Sequence, residues 1–314
     1  MNLDYKKLIV DFCKESEYTE VRSKRYIKPC VYEKDLFDIN PETLLTAAFE
    51  LCGSSKNLHY LREMRLFLRN FFQWAVNKGF TDFNPFDMFE LLSFDYMKIE
   101  FINRINIKFI YYEDVDDICN MIQHVDTQHK ALTKFVISAL YDGIKNTKHF
   151  VLIKRDDIDL KNNTLKLYEN KLTLSDRTIK YLKEYLNEDR GVVFENRLIK
   201  CAREGQTEEM YESSAHTLIR SQFKKIKKYL LENGIDYPVT AETISKSGFI
   251  TFVRKNVESD AELCRLFKLN EGIRNSVRLS DIAYNFGFPK DALTSQIRQN
   301  HEIFLMKSKW YKVI

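Results

Sequence analysis

The sequence predicts a mainly α-helical protein of two domains that contains one small β-sheet. Its 314 residues are enough to bury two ordinary hydrophobic cores, and 44% of them are apolar, which indicates a folded chain. Apolar residues recur at helical spacing along most of the sequence, and short segments typical of strands occur only between about residues 157 and 194. We therefore predict a helical N-terminal domain over residues 1–95, a linker over 96–112 and a second domain over 113–314.

The N-terminal domain reads as a series of amphipathic helices. One covers residues 5–14, and another begins at Pro41 with Asn40 as its N-cap. The clearest helix covers residues 59–76, because its apolar residues keep a spacing of three and four. Arginines recur at the same spacing on a different face of this helix, as a helix in a DNA groove requires. These arginines are Arg62, Arg65 and Arg69.

The second domain opens with a helix from Tyr112 that has acidic residues in its first turn. An apolar helix then ends at Asp142-Gly143, where glycine supplies the positive φ of a helix C-terminus. Short strands, a helix and a further apolar segment follow, and the chain beyond about residue 213 reads as helical. The predicted strands are 157–160, 164–168 and 172–174, the helix is 176–187, and the apolar segment is 192–194.

The end of the long N-terminal helix carries a specific pattern. Trp74-Ala75 is followed by Gly79, which ends the helix, and by Asn84-Pro85, which forbids its continuation. This order and spacing resemble the end of the core-binding domain in the tyrosine recombinase (phage integrase) family. The resemblance implies a two-domain tyrosine-recombinase-like fold, with a helical core-binding domain followed by a catalytic-type domain.

The boxes that carry catalysis in that family are matched in frame but not in chemistry. In the first box, Gly143-Ile144-Lys145-Asn146-Thr147-Lys148 stands where the family has G-L-R-x-x-E. Lys145 therefore replaces the first arginine, and Lys148 replaces the glutamate that supports it. The lysine of the family's β-hairpin aligns with Lys171, and Gly143 is the structural glycine of the box, where a larger residue is expected to destabilise the fold.

The later boxes depart further from the family pattern. In the second box, Lys246 and Ser247 stand at the arginine and histidine positions, and Phe249 and Thr251 keep the frame. In the third box, Phe288 stands at the histidine position. Ile297 and Arg298, nine and ten residues later, stand where the tyrosine nucleophile is expected. Because the arginines, the histidines and the tyrosine are absent, we expect a degenerate recombinase domain without strand cleavage and without catalytic residues.

The resemblance implies that double-stranded DNA is the partner. The helix over residues 213–224, expected in a major groove, offers polar side chains near a dipole-positive N-terminus. These side chains are Ser214, Thr217, Arg220, Ser221 and Lys224. The lysines of the former catalytic site would hold phosphates: Lys145, Lys148, Lys171 and Lys246.

Our leading hypothesis is a sequence-specific transcriptional repressor that binds a DNA operator and maintains phage lysogeny. Three alternatives stay open: an active recombinase that uses Tyr311 as nucleophile, an accessory or excision factor, and an unrelated fold that carries a free-standing helix-turn-helix over residues 279–300. In that last case Pro289 would begin the second helix and Leu293 would lie in its core.

Other features of the sequence argue against further partners. The six cysteines are scattered without a C-x-x-C pair, so we expect no metal site and no disulfide framework. We expect no cofactor, because no nucleotide-binding loop is found. Without a signal peptide or a long apolar run, we expect a cytoplasmic protein that does not enter membranes. The tail over residues 304–314 is a candidate for self-association.

Overall fold

The computed structural model of the protein describes residues 5–27, 40–52, 58–189, 191–235, 239–268 and 272–311. The chain forms two compact units, Met1–Ile105 and Asn106–Ile314. Most of the described residues are helical, and the strands found among them belong to the second unit. The predicted class, mainly α with little β-structure, is confirmed.

The described part of the first unit is helical throughout. Its helices are α1 (Tyr5–Glu15), α2 (Glu20–Ile27), α3 (Pro41–Cys52), α4 (Leu58–Asn77), α5 (Pro85–Met88) and α6 (Phe94–Arg104). The core forms around α4, where the buried rings of Phe67 and Phe71 lie edge-on to the ring of Phe12 with centroid distances of 5.8 and 5.3 Å. Edge-to-face packing of this kind stabilises aromatic cores beyond the burial of their area.

The end of α4 has the structure that its sequence predicts. Gly79 follows the helix with φ of +71°, and the backbone N–H of Phe80 returns to the carbonyl of Ala75. The next helix, α5, begins at Pro85, and the side chain of Asn84 caps it by accepting from the N–H of Phe86 at 3.1 Å. The segment from Trp74 to Pro85 therefore has the local geometry that its sequence predicts.

The linker predicted over residues 96–112 is largely a helix. Helix α6 covers 96–104, and the units divide between Ile105 and Asn106. Ser93 begins this helix, because its hydroxyl accepts from the N–H of Tyr96. Met97 and Phe101 lie one helical turn apart and are both buried, an amphipathic pattern that the linker prediction overlooked.

The second unit combines helices with two small sheets. Its helices are α7 (Tyr112–Met121), α8 (Lys130–Asp142), α9 (Asp176–Leu186), α10 (Glu208–Glu232), α11 (Ala241–Lys255), α12 (Asp260–Phe267), α13 (Gly272–Asn285) and α14 (Thr294–Met306). The strands are β1 (Ile158–Asp159), β2 (Thr164–Leu167), β3 (Asn170–Thr173), β4 (Val192–Val193) and β5 (Lys200–Ala202).

The antiparallel sheet β1-β2-β3 lies where the sequence predicts strands. Strands β2 and β3 form a tight hairpin in which Leu167 pairs with Asn170. The turn consists of Tyr168 and Glu169, and Tyr168 has φ of +55°, which is uncommon for a side chain of this size. Alternate side chains of β2 and β3 point into the core, including Leu165 and Leu172, so the opposite face of the hairpin remains open to solvent.

Helix α8 runs through the centre of the second unit, and every residue from Ala131 to Tyr141 is buried. Helix α11 crosses it at Gly248, where an added Cβ would lie 2.1 Å from the carbonyl oxygen of Tyr141. The Tyr141 hydroxyl bonds to that of Thr251, also on α11, at 2.8 Å. Only glycine allows the two helices this approach.

The end of α8 is held by a buried carboxylate. Asp142 accepts from the backbone N–H and the hydroxyl of Ser175, both at 2.7 Å, and from the hydroxyl of Thr178 at 2.6 Å. Ser175 is also the N-cap of α9. Asp142 therefore fixes the start of α9 against the turn that carries Lys145.

The prediction of a helix-turn-helix over residues 279–300 is wrong. Helix α13 ends at Asn285 and α14 begins at Thr294, which leaves a connection much longer than the three to four residues of that motif. Pro289 lies in this connection, and Leu293 is 60% exposed rather than in a core. The connection is long because it turns inward and places the rings of Phe286 and Phe288 against Phe249, at centroid distances of 5.2 and 4.9 Å.

The C-terminal tail packs within its own unit as far as Tyr311. Phe304 is buried on α14, and the ring of Trp310 lies edge-on to that of Phe109 at 5.5 Å. Docking of the tail over 304–314 on a second copy would require these contacts to open, and self-association through it stays a prediction. Residues 312–314 lie outside the described residues.

Candidate nucleic-acid interface

The first box is a tight turn at the end of α8. Gly143 has φ of +134°, and Lys145 follows it with its side chain half-buried. The amino group of Lys145 lies 4.0 Å from the ring centroid of Phe288, a cation–π distance. Burial lowers the pKa of this amino group from 10.5 to about 8, because the charged form loses hydration.

The second box lies on α11, one face of which is buried. Lys246 binds the carboxylate of Glu242 one turn earlier at 2.6 Å, and its amino group lies 5.3 Å from the ring centroid of Phe304. Ser247 is fully buried and accepts from the backbone N–H of Ile110 at 3.1 Å. Lys246 is therefore partly neutralised, and Ser247 holds the fold together rather than facing solvent.

The third box brings an aromatic ring to the same place. Phe288 lies beside the ring of His301, with centroids 5.9 Å apart, and His301 lies 4.6 Å from Phe249. His301 is buried, and its Nδ1 lies 2.7 Å from the carbonyl oxygen of Ile297. The three boxes thus meet around an apolar, aromatic centre.

His301 has the most strongly shifted pKa of this centre. Burial lowers the pKa of its imidazole from 6.5 to about 3, against the raising effect of its bond to the Ile297 carbonyl, and the charges of Lys246 and Lys145 lower it further. His301 is not among the site residues that the sequence predicts. Its signal was weak: a histidine one turn after Ile297 on an otherwise apolar helix face, which is typical of any buried histidine.

Two clefts open beside Lys145 and share the rings of His149 and Tyr168. The larger has a volume of about 820 Å³ and the smaller about 500 Å³. The larger is lined by charged groups of both signs, among them Lys145, Lys290 and Asp291. The two shared rings are edge-on, 5.5 Å apart, and separate the clefts.

The other two lysines predicted to contact phosphate beside Lys145 are open to solvent. Lys148 is exposed on the rim of the smaller cleft. Lys171 is exposed on β3 and pairs in register with Lys166 on β2, so the two cations stand side by side on the open face of the hairpin. Both positions suit contact with a polyanion.

Helix α10 begins earlier than predicted. It starts at Glu208, with Thr207 as N-cap and acidic residues Glu208 and Glu209 in its first turn. The side chains predicted near a helix N-terminus, in the segment 213–224, therefore lie from the second turn onward. The dipole argument for them is wrong, because the effect decays within the first turn and is here already offset by carboxylates.

The predicted side chains of α10 divide into two groups. Those exposed to solvent are Thr217, Arg220 and Lys224. Ser214 accepts from the side chain of Gln206 at 3.0 Å, and Ser221 donates to the carbonyl of Leu218 at 2.7 Å, so both have bonds within the protein. Arg220, Lys224 and the exposed Lys227 follow one another at intervals of four and three residues and define a basic stripe along one face of α10.

In the first unit, Arg65 does not face a free surface. Its guanidinium donates to the carbonyl oxygen of Leu92 at 2.7 Å and to that of Phe86 at 3.3 Å. Burial lowers the pKa of Arg65, and the neighbouring charge of Arg69 lowers it further. Its position therefore fits a structural tie between α4 and the segment that follows α5, whereas the sequence suggested a phosphate contact.

The two flanking arginines of α4 are also engaged. The guanidinium of Arg62 lies over the ring of Phe94, 4.7 Å from its centroid. Arg69 is exposed but binds the carboxylate of Asp87 at 2.7 Å. Contacts of Arg62, Arg65 and Arg69 with DNA stay predictions, and Arg69 is the one whose guanidinium lies nearest to solvent.

Within the described parts of the chain, no cluster of three or more potential ligands could hold a metal ion. The described helices also include none with the length and hydropathy needed to cross a membrane.

Comparisons with known proteins find similarity in structure alone. No protein-family model matches the chain, and no curated protein matches it. The chain is similar to a crystal structure of XerA recombinase, with 12% identity, a TM-score of 0.40, and coverage of 95% of this chain and 93% of the other. It is also similar to two structures of the Tn1549 transposon integrase in complex with circular intermediate DNA. One has 12% identity and a TM-score of 0.38 over 82% of this chain and 89% of the other. The second has 11% identity and a TM-score of 0.39 over 94% of each chain.

Proposed function

We propose that this protein is a sequence-specific DNA-binding regulator, built on a tyrosine-recombinase-like fold that has lost strand cleavage. The observation that carries the proposal is the placement of Phe288 beneath the amino group of Lys145, 4.0 Å from ring centroid to nitrogen. At this position a recombinase needs a histidine that moves protons beside an arginine that holds phosphate. The phenyl ring of Phe288 has no titratable group and no hydrogen-bond donor, so it can neither move protons nor hold phosphate.

The remaining cations of the site do not replace the lost chemistry. Cleavage of a phosphodiester requires donors aimed at the oxygens on which charge develops, and arginine supplies them as a rigid fork. Lys145 and Lys246 are single point charges, and Lys246 is already bound to Glu242. They are suited to binding phosphate, not to stabilising its transition state.

The position of the nucleophile supports the same reading. Ile297 and Arg298, which stand where the tyrosine is expected, are both buried. On α14 the side chains that face this centre are His301, which lies against Phe288, and Phe304, whose ring lies near the amino group of Lys246. Tyr311 follows Trp310, whose ring is packed against Phe109. Tyr311 could reach the centre around Lys145 and Phe288 only if the contact between Trp310 and Phe109 were broken.

The second unit offers cations on two surfaces for DNA. The basic stripe of α10 projects positive charge from a helix long enough to lie in a groove, and Lys171 with Lys166 does so from the hairpin. Thr217 and Arg220 are exposed and can reach base edges. Sequence preference would reside in these two residues, and affinity in the lysines.

The regulatory role we propose is that of a repressor that binds an operator and maintains lysogeny. The sequence resembles the master repressor of SPβ-type prophages, an integrase-like protein without the catalytic set. A protein that binds DNA tightly but cannot cleave it is suited to occupying a promoter.

The test is genome-wide mapping of bound DNA in cells, followed by a salt titration on the strongest site in vitro. A few sites that share one motif near promoters are expected. The same duplex, nicked to trap covalent intermediates, should give no protein–DNA adduct. An adduct through Tyr311 would identify an active recombinase instead. Deletion of the gene for this protein supplies a further outcome. If the deletion impairs excision but does not induce lytic genes, the protein is an accessory factor.

A further inference from the structure

The cleft beside Lys145 contains an amine in an unusual setting. Lys145 lines a space of about 820 Å³ that is open to small molecules, yet its side chain is half-buried and its amino group lies on the face of Phe288. Among the described residues no carboxylate forms an ion pair with it that would hold its proton in place. Lysines desolvated in this way are the ones that proteins use as nucleophiles.

We propose that Lys145 is a site of chemical acylation, whose substrates are small acyl phosphates that enter this cleft. The nitrogen lone pair attacks the acyl carbon, and an N–C amide bond forms. The C–O bond to the phosphoryl group breaks, inorganic phosphate leaves, and the nitrogen releases its proton to water. No oxidant, metal or further reactant is needed.

The lining of the cleft suits such a donor. Lys290 lines the same cleft and attracts the phosphoryl group, while Pro289 and the ring of Tyr168 provide apolar surface for the acyl group. Glu169 and Asp291 also line the cleft, and their negative charges oppose the attraction of Lys290 for the phosphoryl group.

Burial favours the neutral form of Lys145, and the titratable groups near it are two histidines, Lys246 and the cleft carboxylates Glu169 and Asp291. His149, on the following turn, has a pKa lowered by burial and by the charge of Lys145. His301, beneath Phe288, is uncharged at neutral pH, because its pKa is about 3. Lys246 acts on the same centre as a cation. With a pKa of about 8, about a quarter of Lys145 is neutral at pH 7.5, compared with about 0.1% of an ordinary lysine.

Acylation removes one positive charge from a surface that we propose binds DNA, and it adds bulk where a phosphate would lie. This consequence rests on the proposed function, whereas the acylation itself does not.

The experiment treats the full-length protein with acetyl phosphate between pH 7.0 and 10.0 and measures acetylation of each lysine by peptide mass spectrometry. Lys166 and Lys171 serve as internal controls, because they are exposed on the neighbouring hairpin. At pH 7.5 we expect Lys145 to react at least about tenfold faster than either, since its larger neutral fraction outweighs its lower basicity. The advantage should shrink toward pH 10, where the control amines lose their protons.

Equal rates at the three lysines across this range, or no acetylation of Lys145 at any pH, would overturn the proposal. In Lys145→Arg, acetylation of Lys166 and Lys171 should be unchanged, which shows that the reagent is active, and an unchanged melting temperature shows that the fold is intact. DNA binding is measured separately on treated and untreated protein. A selective reaction without any DNA binding would count against the proposed function alone, and DNA binding without selective reaction would count against the acylation site alone.

Discussion

Gly143 and Phe286 lie so close together that a Cβ added to Gly143 would be 2.6 Å from the carbonyl oxygen of Phe286. The contact joins the turn of the first box to the connection that carries Phe288. Gly143 also has φ of +134°, a conformation that side chains rarely adopt. Two independent constraints, one of space and one of backbone angle, therefore require glycine here.

Gly143→Ala is expected to lower the free energy of unfolding by about 3 kcal/mol, from backbone strain and displacement of the Phe286 carbonyl. Gly79→Ala is the matched control: Gly79 has φ of +71°, but nothing lies within 4 Å of its added Cβ. That control measures the cost of a left-handed backbone angle without a close contact, about 1 kcal/mol. Urea unfolding measures the free energy of unfolding of both variants. Equal losses of stability would mean that the Phe286 carbonyl moves away from the new Cβ at no energetic cost.

Gly248→Ala tests a contact without any unusual backbone angle. At an exposed helix position, this substitution stabilises a protein by about 1 kcal/mol, because alanine is the better helix former. Here the new Cβ would lie 2.1 Å from the Tyr141 carbonyl oxygen, so helices α8 and α11 must separate. We expect the sign to reverse, with a loss of at least about 2 kcal/mol. An increase in melting temperature would show that the crossing is loose.

The parts of the fold that the sequence predicts are those set by local signals. Helix α4 (Leu58–Asn77) follows from its apolar spacing, and its end follows from Gly79 and Pro85. The hairpin strands follow from short β-branched and apolar segments between turns. These features need only a few neighbouring residues, so one sequence is enough to reveal them.

The parts that the sequence does not predict depend on distant partners. Periodicity places Arg65 on a polar face, but only the tertiary structure shows that the carbonyls of Leu92 and Phe86 meet it. Likewise, His301 is an ordinary helix residue until α14 packs against Phe249 and Phe288. A charged helix face indicates that the face meets either solvent or a polar partner, and the sequence does not distinguish these two cases.

Arg65→Ala should therefore act on stability. Removal of the guanidinium leaves the carbonyls of Leu92 and Phe86 without this donor, and we expect a loss of about 2 kcal/mol in the free energy of unfolding. Arg69→Ala is the control, because its exposed pair with Asp87 contributes at most about 1 kcal/mol. An Arg65→Ala variant that has the stability of the unchanged protein but binds DNA more weakly would exclude a role of Arg65 in holding the fold. That result would support a contact between Arg65 and a DNA phosphate.

Arg220→Ala and Lys224→Ala should act on DNA binding with little change in stability, because both side chains are exposed. Each lost phosphate contact reduces the slope of log K against log salt by about 1. If Arg220 also reads a base, its removal should narrow the difference between operator and unrelated DNA by about 1–3 kcal/mol, whereas Lys224→Ala should weaken both alike. Lys183→Ala, an exposed lysine of α9, carries the same charge change as a control. Equal effects of all three variants would assign the binding to net charge alone.

The buried His301 should make stability fall in mild acid. Its pKa is about 3 in the folded chain and 6.5 as the reference for the unfolded chain, so the folded state keeps the imidazole neutral. The stabilisation is complete above pH 6.5 and is lost as the pH falls toward 3, because the unfolded chain gains a proton that the fold excludes. Between pH 7.5 and pH 5.0 this residue should account for a loss of about 2 kcal/mol in the free energy of unfolding.

His301→Gln should remove the contribution of the imidazole, so the stability of this variant should vary less with pH. The exposed control His124→Gln should keep the full pH dependence of the unchanged protein. Parallel pH profiles for the unchanged protein and His301→Gln would show that the imidazole is hydrated or charged in the folded state.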